Sequence, residues 1–109
     1  MSAPPNEDDI IQTERCVLQA LCQGAPEGSV REAAKVILRH YRWHEPLHQM
    51  IFNLLVEMPT DDPEVIRDLL PSRLTRKGFP DVAWEDFFQP HPLSKEEAER
   101  LMQHLRALP

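Results

Sequence analysis

The chain has 109 residues and a formal net charge of −6. This length fits one domain with a single modest core, and the acidic balance argues against an electrostatic grip on DNA or RNA, which needs clustered Lys and Arg. Eleven Pro against three Gly, with abundant Leu, Glu, Arg and Ala, indicate helices punctuated by proline and argue against a sheet with tight glycine turns. We therefore expect an all-α fold.

The amino-terminal segment, residues 1–7, is rich in Pro and acids and lacks apolar periodicity, so we expect a disordered acidic tail. A first helix is predicted over residues 8–23. Its apolar face comprises Ile10, Val17, Leu18, Leu21 and Cys22. Cys16 and Cys22 would lie roughly 9 Å apart along this helix, too far for a disulfide. Free thiols, the absence of a secretory signal and the lack of a long apolar run together predict a cytoplasmic protein.

Two further helices are predicted on either side of a break at residues 40–44. Ser29 and Glu32 form a capping box that opens the second helix, because the hydroxyl accepts from a helical N–H and the carboxylate reaches back. The apolar positions of this helix continue to Tyr41. Pro46 suits the first turn of the third helix, where its missing N–H costs nothing. The apolar stripe of the third helix is Leu47, Met50, Ile51, Leu54, Leu55 and Met58.

A fourth helix is expected to begin after Asp62, which is a good N-cap residue. Pro71 should end it or start a new turn, because a proline ring clashes with the preceding helical carbonyl. A short segment then ends at Gly78. The next residues, 81–88, predict a short aromatic helix with Trp84 among its anchors.

The last helix is predicted to begin at a second capping box, residues 94–97, after a stiff spacer that contains Pro90 and Pro92. We therefore divide the chain into the tail at 1–7, a helical head domain at 8–89, and a proline hinge with a C-terminal helix at 90–109. The narrow apolar face of the last helix predicts an exposed patch for binding another protein. The residues predicted to form this patch are Leu101, Met102, Leu105 and Leu108.

No catalytic site is evident, and we expect neither enzymatic activity nor a cofactor. Of the four serines, two serve as caps and one lies in the tail, so a nucleophilic serine is weakly supported, and the two cysteines fall on an apolar helix face. His40, His44 and His48 recur every four residues and could bind zinc if they shared one helix. Pro46 should separate them into two helices, so we expect no metal site there. The competing interpretation is that His48 is packed and hydrogen-bonded while His40 is solvated.

A family resemblance rests mainly on residues 43–52, which read Trp-His-Glu-Pro-Leu-His-Gln-Met-Ile-Phe. This stretch resembles the aromatic-aromatic-x-Pro-x-His-x-x-Ile-Phe signature in the N-terminal domain of bacterial replicative DNA helicases of the DnaB type. The matching positions are Trp43, Pro46, His48, Ile51 and Phe52. The first helix, with Glu14 and the Val-Leu-x-x-Leu run that follows it, is similar to that domain's first helix. Residues 65–78 resemble the helix that ends in a basic-Gly turn.

The resemblance implies a compact orthogonal bundle of five to six helices, the head domain of a bacterial DNA-replication protein. In that family the domain forms a collar on the helicase ring, self-associates and communicates with primase. No ATPase segment follows Phe88, so the resemblance implies no helicase activity. His44 replaces the second aromatic, and one helix stands where the family has a longer self-association hairpin. The start at Met1 and the end at Pro109 favour a complete short protein, with a fragment as the alternative.

The leading functional hypothesis is a non-catalytic protein-interaction module that binds replicative helicase, primase or itself, as a monomer or homodimer. A helical nucleic-acid-binding regulator is the first alternative, with phosphate contacts from Arg73, Arg76 and Lys77. Three basic residues at a helix end also complement the helix dipole. A small metal protein that uses the three histidines is the second alternative.

Overall fold

The computed structural model describes residues 6–23, 30–58, 60, 62–79, 81–82, 85–88 and 93–108. Within these ranges the chain forms helices and no strand, which confirms the predicted all-α class. The helices are α1 Glu7–Gln23, α2 Arg31–Ile37, α3 Pro46–Glu57, α4 Pro63–Arg76, the single turn α5 Glu85–Phe88, and α6 Lys95–Arg106. The Cα radius of gyration of 13.4 Å is that of a compact globule. No helix in the described ranges is long and apolar enough to cross a bilayer.

Helix α1 organises the core, because it contacts α3, α4, α5 and α6, while α2 packs on α6. The side chains that meet around α1 are apolar and buried. They include Val17, Leu18 and Cys22 of α1, Ile51 and Leu55 of α3, Ile66, Leu70 and Leu74 of α4, and Ala98, Met102 and Leu105 of α6. Each fully buried Leu, Ile or Met contributes about 1.5–3 kcal/mol.

Helix starts follow local capping chemistry. The backbone N–H of Asp9 donates to Asn6 Oδ1 at 2.8 Å, so α1 begins at Glu7, one residue before the predicted start. Asp62 caps α4 by accepting from the N–H of Glu64 at 3.0 Å. The capping box predicted at residues 94–97 is confirmed, since Ser94 Oγ accepts from the N–H of Glu97 at 3.1 Å and the Glu97 carboxylate accepts in return.

Helix α4 continues through Pro71, so the predicted end at that residue is wrong. A proline in a helix interior removes one N–H donor and costs about 3 kcal/mol. Leu70 and Leu74 lie one turn apart on the inner face of α4 and are fully buried. Ending the helix at Pro71 would take Leu74 out of the core, so tertiary packing outweighs the local preference. The helix instead continues to Arg76, with Lys77 as its C-cap, and Gly78 follows in the left-handed conformation at φ +94°. The chain thus leaves helical structure at Gly78, the residue at which the predicted short segment ends.

Helix α2 is shorter than predicted, because it ends at Ile37 and a turn follows. Tyr41 lies beyond this turn, and its N–H donates to the Leu38 carbonyl at 3.2 Å. The break predicted at residues 40–44 is present. Several predicted features lie outside the described residues: the first five residues of the tail, the cap Ser29, the anchor Trp84 and the proline spacer at 90–92.

Candidate functional site

A carboxylate lies in the centre of the apolar core. Glu14 occupies the inward stripe of α1, one turn before Val17 and Leu18, and its side chain is 0% exposed. A buried charge is costly unless other groups hydrogen-bond to it. The packing of α1 therefore requires a set of donors around Glu14.

Three residues that follow α2 in the chain supply those donors. Glu14 Oε1 lies 2.9 Å from Nδ1 of His48, in the first turn of α3. Glu14 Oε2 accepts from the Tyr41 hydroxyl at 2.5 Å and from the backbone N–H of His44 at 2.7 Å, and His44 Nδ1 lies 3.3 Å from the same oxygen. An ionised carboxylate only accepts hydrogen bonds, so His48 carries a proton on Nδ1. We call Glu14, Tyr41, His44 and His48 the Glu14 network.

Hydrogen bonding keeps Glu14 ionised despite its burial. Burial raises the pKa of this carboxyl, but hydrogen bonds from His48, Tyr41 and His44 together lower it by more, so the pKa lies below its ordinary value of 4.5. Burial also raises the pKa of the Tyr41 hydroxyl, and the hydrogen bond to Glu14 and the charge of Glu14 raise it further. Tyr41 therefore stays a neutral donor at physiological pH.

Aromatic rings enclose the pair that Glu14 and His48 form. The rings of Trp43 and Phe87 each meet His48 edge to face, with centroids 6.4 Å away in both cases. Phe52 lies 5.1 Å from Trp43, also between ring centroids. Because these rings are buried, they shield the pair from water and strengthen its electrostatic interaction.

The structure brings the residues of the predicted signature together. Trp43, His48, Ile51 and Phe52 are buried, and Pro46 is the first residue of α3. Sequence reasoning named His48 as packed and hydrogen-bonded, which is confirmed. It did not identify Glu14 as the partner, although Glu14 lies in phase with Val17, Leu18 and Leu21 along α1. A charged residue on an apolar stripe was the available signal.

The three histidines have separate environments. His40 is exposed, His44 is one-third exposed, and His48 is buried. His44 and His48 both direct Nδ1 toward Glu14. The described part of the chain holds no group of three or more His, Cys, Asp or Glu side chains placed to bind a metal ion.

The predicted binding patch on α6 has a different environment from the expected one. Met102 and Leu105 are fully buried, and Leu101 and Leu108 are half-buried against the core. The prediction that these residues form an exposed patch is therefore wrong for Met102 and Leu105. The reason is that a chain of this length needs the apolar face of α6 to complete its core. A partner contact at this helix stays a prediction.

A surface groove lies between residues 36–44, at and after the end of α2, and the C-terminal end of α6. Tyr41 and His44 of the Glu14 network are among its lining residues. It consists of two adjoining depressions of about 450 Å³ each, which share His40, Tyr41 and Arg106. The other lining residues are Arg42, Trp43, His44 and Leu108 on one side, and Val36, Ile37 and Arg39 on the other. We call this surface the α2–α6 groove.

The α2–α6 groove is basic although the protein as a whole is acidic. Arg39, Arg42 and Arg106 are exposed, and none of them forms an ion pair within the part of the chain that the structure describes. No Asp or Glu is among the described lining residues. Val36, at the rim, is 73% exposed and is the only large apolar side chain exposed in the described ranges.

Glu14, His48 and Cys22 are buried, so a substrate in solution does not reach their side chains in this conformation. The side chains of Glu14 and His48 are 0% and 3% exposed. Burial raises the pKa of the Cys22 thiol to about 12, which leaves it protonated and unreactive, and Cys16 is also a free thiol. Comparisons with models of protein families, with curated proteins and with solved structures found no match for this chain.

Proposed function

We propose that this chain is a non-catalytic helical interaction module that binds another protein through the α2–α6 groove. The proposal rests on one observation: the buried ionisable side chains are hydrogen-bonded to one another, whereas basic and apolar side chains are exposed together on the surface. Glu14 forms hydrogen bonds with the Tyr41 hydroxyl and with the buried His48. The arginines of the groove, which form no ion pair with any described residue, lie on one surface with the exposed Val36.

We also propose that the module is related to the head domain of DnaB-type helicases. Two separate stretches carry that resemblance, the first helix with its Glu and the Pro-x-His-x-x-Ile-Phe segment. Their meeting in one hydrogen-bonded unit, through Glu14 and His48, supports the idea that they form a common structural signature. The proposed partners are a bacterial replicative helicase, primase or a second copy of the chain, in the cytoplasm.

A pull-down with the full chain as bait tests this function. We expect the extract of the source organism to yield helicase or primase, identified by mass spectrometry, or a second copy of the chain. Recovery should fall when R42Q and R106Q remove two positive charges from the groove. The matched control, R76Q with K77Q, removes two positive charges from the end of α4 and should leave recovery unchanged. Equal recovery by both double variants would contradict binding through the groove.

A nucleic-acid-binding regulator is the second candidate, because Arg76 and Lys77 are exposed beside the turn at Gly78. The same two double variants separate the candidates. A salt-dependent gel shift of duplex DNA that R76Q/K77Q abolishes would favour this function. The overall charge of −6 opposes it, because most of the surface repels phosphate.

A further inference from the structure

We infer that the ligand of the α2–α6 groove is an acidic peptide segment that carries a large apolar side chain. This inference rests on the proposed interaction function and names the chemistry of the partner. It depends on three features of the groove: its charge, its apolar rim and the fixation of its floor.

The charge of the groove selects for anions. Arg39 lines one depression and Arg42 the other, while Arg106, at the end of α6, lines both. Each depression therefore has two arginines, and His40 lines both as well. Each guanidinium offers donors in a planar fork that matches a carboxylate, and none is paired within the described residues. A peptide carboxylate would therefore meet arginines that need not break an internal ion pair first.

The apolar part of the groove selects for a side chain next to the acid. Val36 and Ile37 line the same depression as Arg39 and Arg106. Val36 is 73% exposed and Ile37 half-buried, so an apolar side chain that covered them would remove apolar surface from water. The backbone of duplex DNA, whose bases are stacked inside the helix, has no large apolar group to bury there, which favours a peptide over duplex DNA.

Hydrogen bonds to the buried Glu14 hold the residues at the floor of the groove in place. Tyr41 and His44 line it, and both are hydrogen-bonded to the buried Glu14. Binding therefore needs little ordering of these residues, which lowers the entropic cost of association. The repulsive charge of the whole protein affects a long polyanion more than a short acidic segment, whose contacts are confined to the groove.

Selection from a display library of random twelve-residue peptides on the immobilised full chain tests the inference. We expect the enriched peptides to carry an excess of Asp and Glu together with a large apolar residue. Their affinity should fall about tenfold in R42Q/R106Q and about fivefold in V36S, as expected for losing two exposed ion pairs and one apolar contact. R76Q/K77Q, which makes the same change in net charge, should bind like the wild type.

Circular dichroism and thermal unfolding confirm beforehand that each variant is folded, since all five substituted side chains are exposed. Enrichment of peptides without excess acid, no enrichment at all, or undiminished binding to R42Q/R106Q would overturn the inference. Displacement of the peptides by an equally long single-stranded DNA at a lower concentration would also overturn it and assign the groove to phosphate. If the pull-down finds a groove-dependent partner while neutral peptides are enriched, the proposed function stands and only the acidic chemistry fails.

Discussion

Glu14 in the middle of α1 and His48 in the first turn of α3 form a buried pair, with 2.9 Å between Oε1 and Nδ1. Tyr41 and His44 complete the set of partners around the same carboxylate. The pair thus connects the central helix both to α3 and to the loop that forms the floor of the groove. One buried acid links the stability of the fold to the shape of its proposed binding surface.

Replacing Glu14 with Gln should destabilise the protein by about 3 kcal/mol, because an amide leaves the donors of Tyr41, His44 and His48 incompletely satisfied in a dry core. Urea unfolding followed by circular dichroism measures this change. The control D68N alters an exposed acid on α4 and should change the free energy of unfolding by less than about 0.5 kcal/mol. A loss below about 1 kcal/mol for E14Q would mean that the network adds little to stability.

The Glu14 network should also make stability depend on pH. The pKa of Glu14 in the folded protein lies below its ordinary value of 4.5, so the folded state binds a proton at this group less readily than the unfolded state. The stabilisation is therefore fully present above pH 4.5 and is lost as the pH falls toward the lower folded value.

Urea unfolding of the wild type and of E14Q at a series of pH values isolates this contribution from those of the other carboxylates. We expect the difference in their free energies of unfolding to be constant near neutrality and to shrink below pH 4.5. A difference that grows on acidification would reverse the assigned direction of the pKa shift.

Pro71 offers a test of how α4 is held together. P71A restores an N–H to the helix interior, and we expect a gain of about 2 kcal/mol after the greater entropy of the unfolded chain, about 1 kcal/mol, is subtracted from the cost of the proline. P63A is the comparison, since Pro63 lies in the first turn of α4 and has no helical bond to restore. Thermal unfolding should show a higher midpoint for P71A alone. A clear loss of stability in P71A would contradict an α4 that is continuous through this position.

Features that depend on neighbouring residues could be predicted from the sequence. The capping box at Ser94, the N-cap Asp62, the initial Pro46 and the glycine stop at Gly78 each act within a few residues, and all four occur in the structure. Pro71 does not end α4, because the burial of Leu74 outweighs the local preference of proline. That burial depends on the packing of α4 against the rest of the core, which the local sequence does not contain.

The candidate site was harder to predict because its parts are distant in sequence. The bond between Glu14 and His48 spans 34 residues, so only the anomalous charge on the stripe of α1 pointed to it. The groove depends on the packing of α2 against α6, which places Arg106 in one depression with Arg39 and in the adjoining one with Arg42. The apolar face of α6 predicts a surface for a partner, whereas Met102 and Leu105 fill the core of this chain.

Site-specific photo-crosslinking tests most directly whether the α2–α6 groove is the binding face. A photoreactive amino acid replaces the exposed Val36 in the full chain, and a second variant carries it at the exposed Asp68 on α4. We predict an adduct with helicase, primase or a second copy from position 36 only, and its loss when R42Q and R106Q are added. Adducts of equal yield from position 68, or no adduct from position 36, would contradict the account.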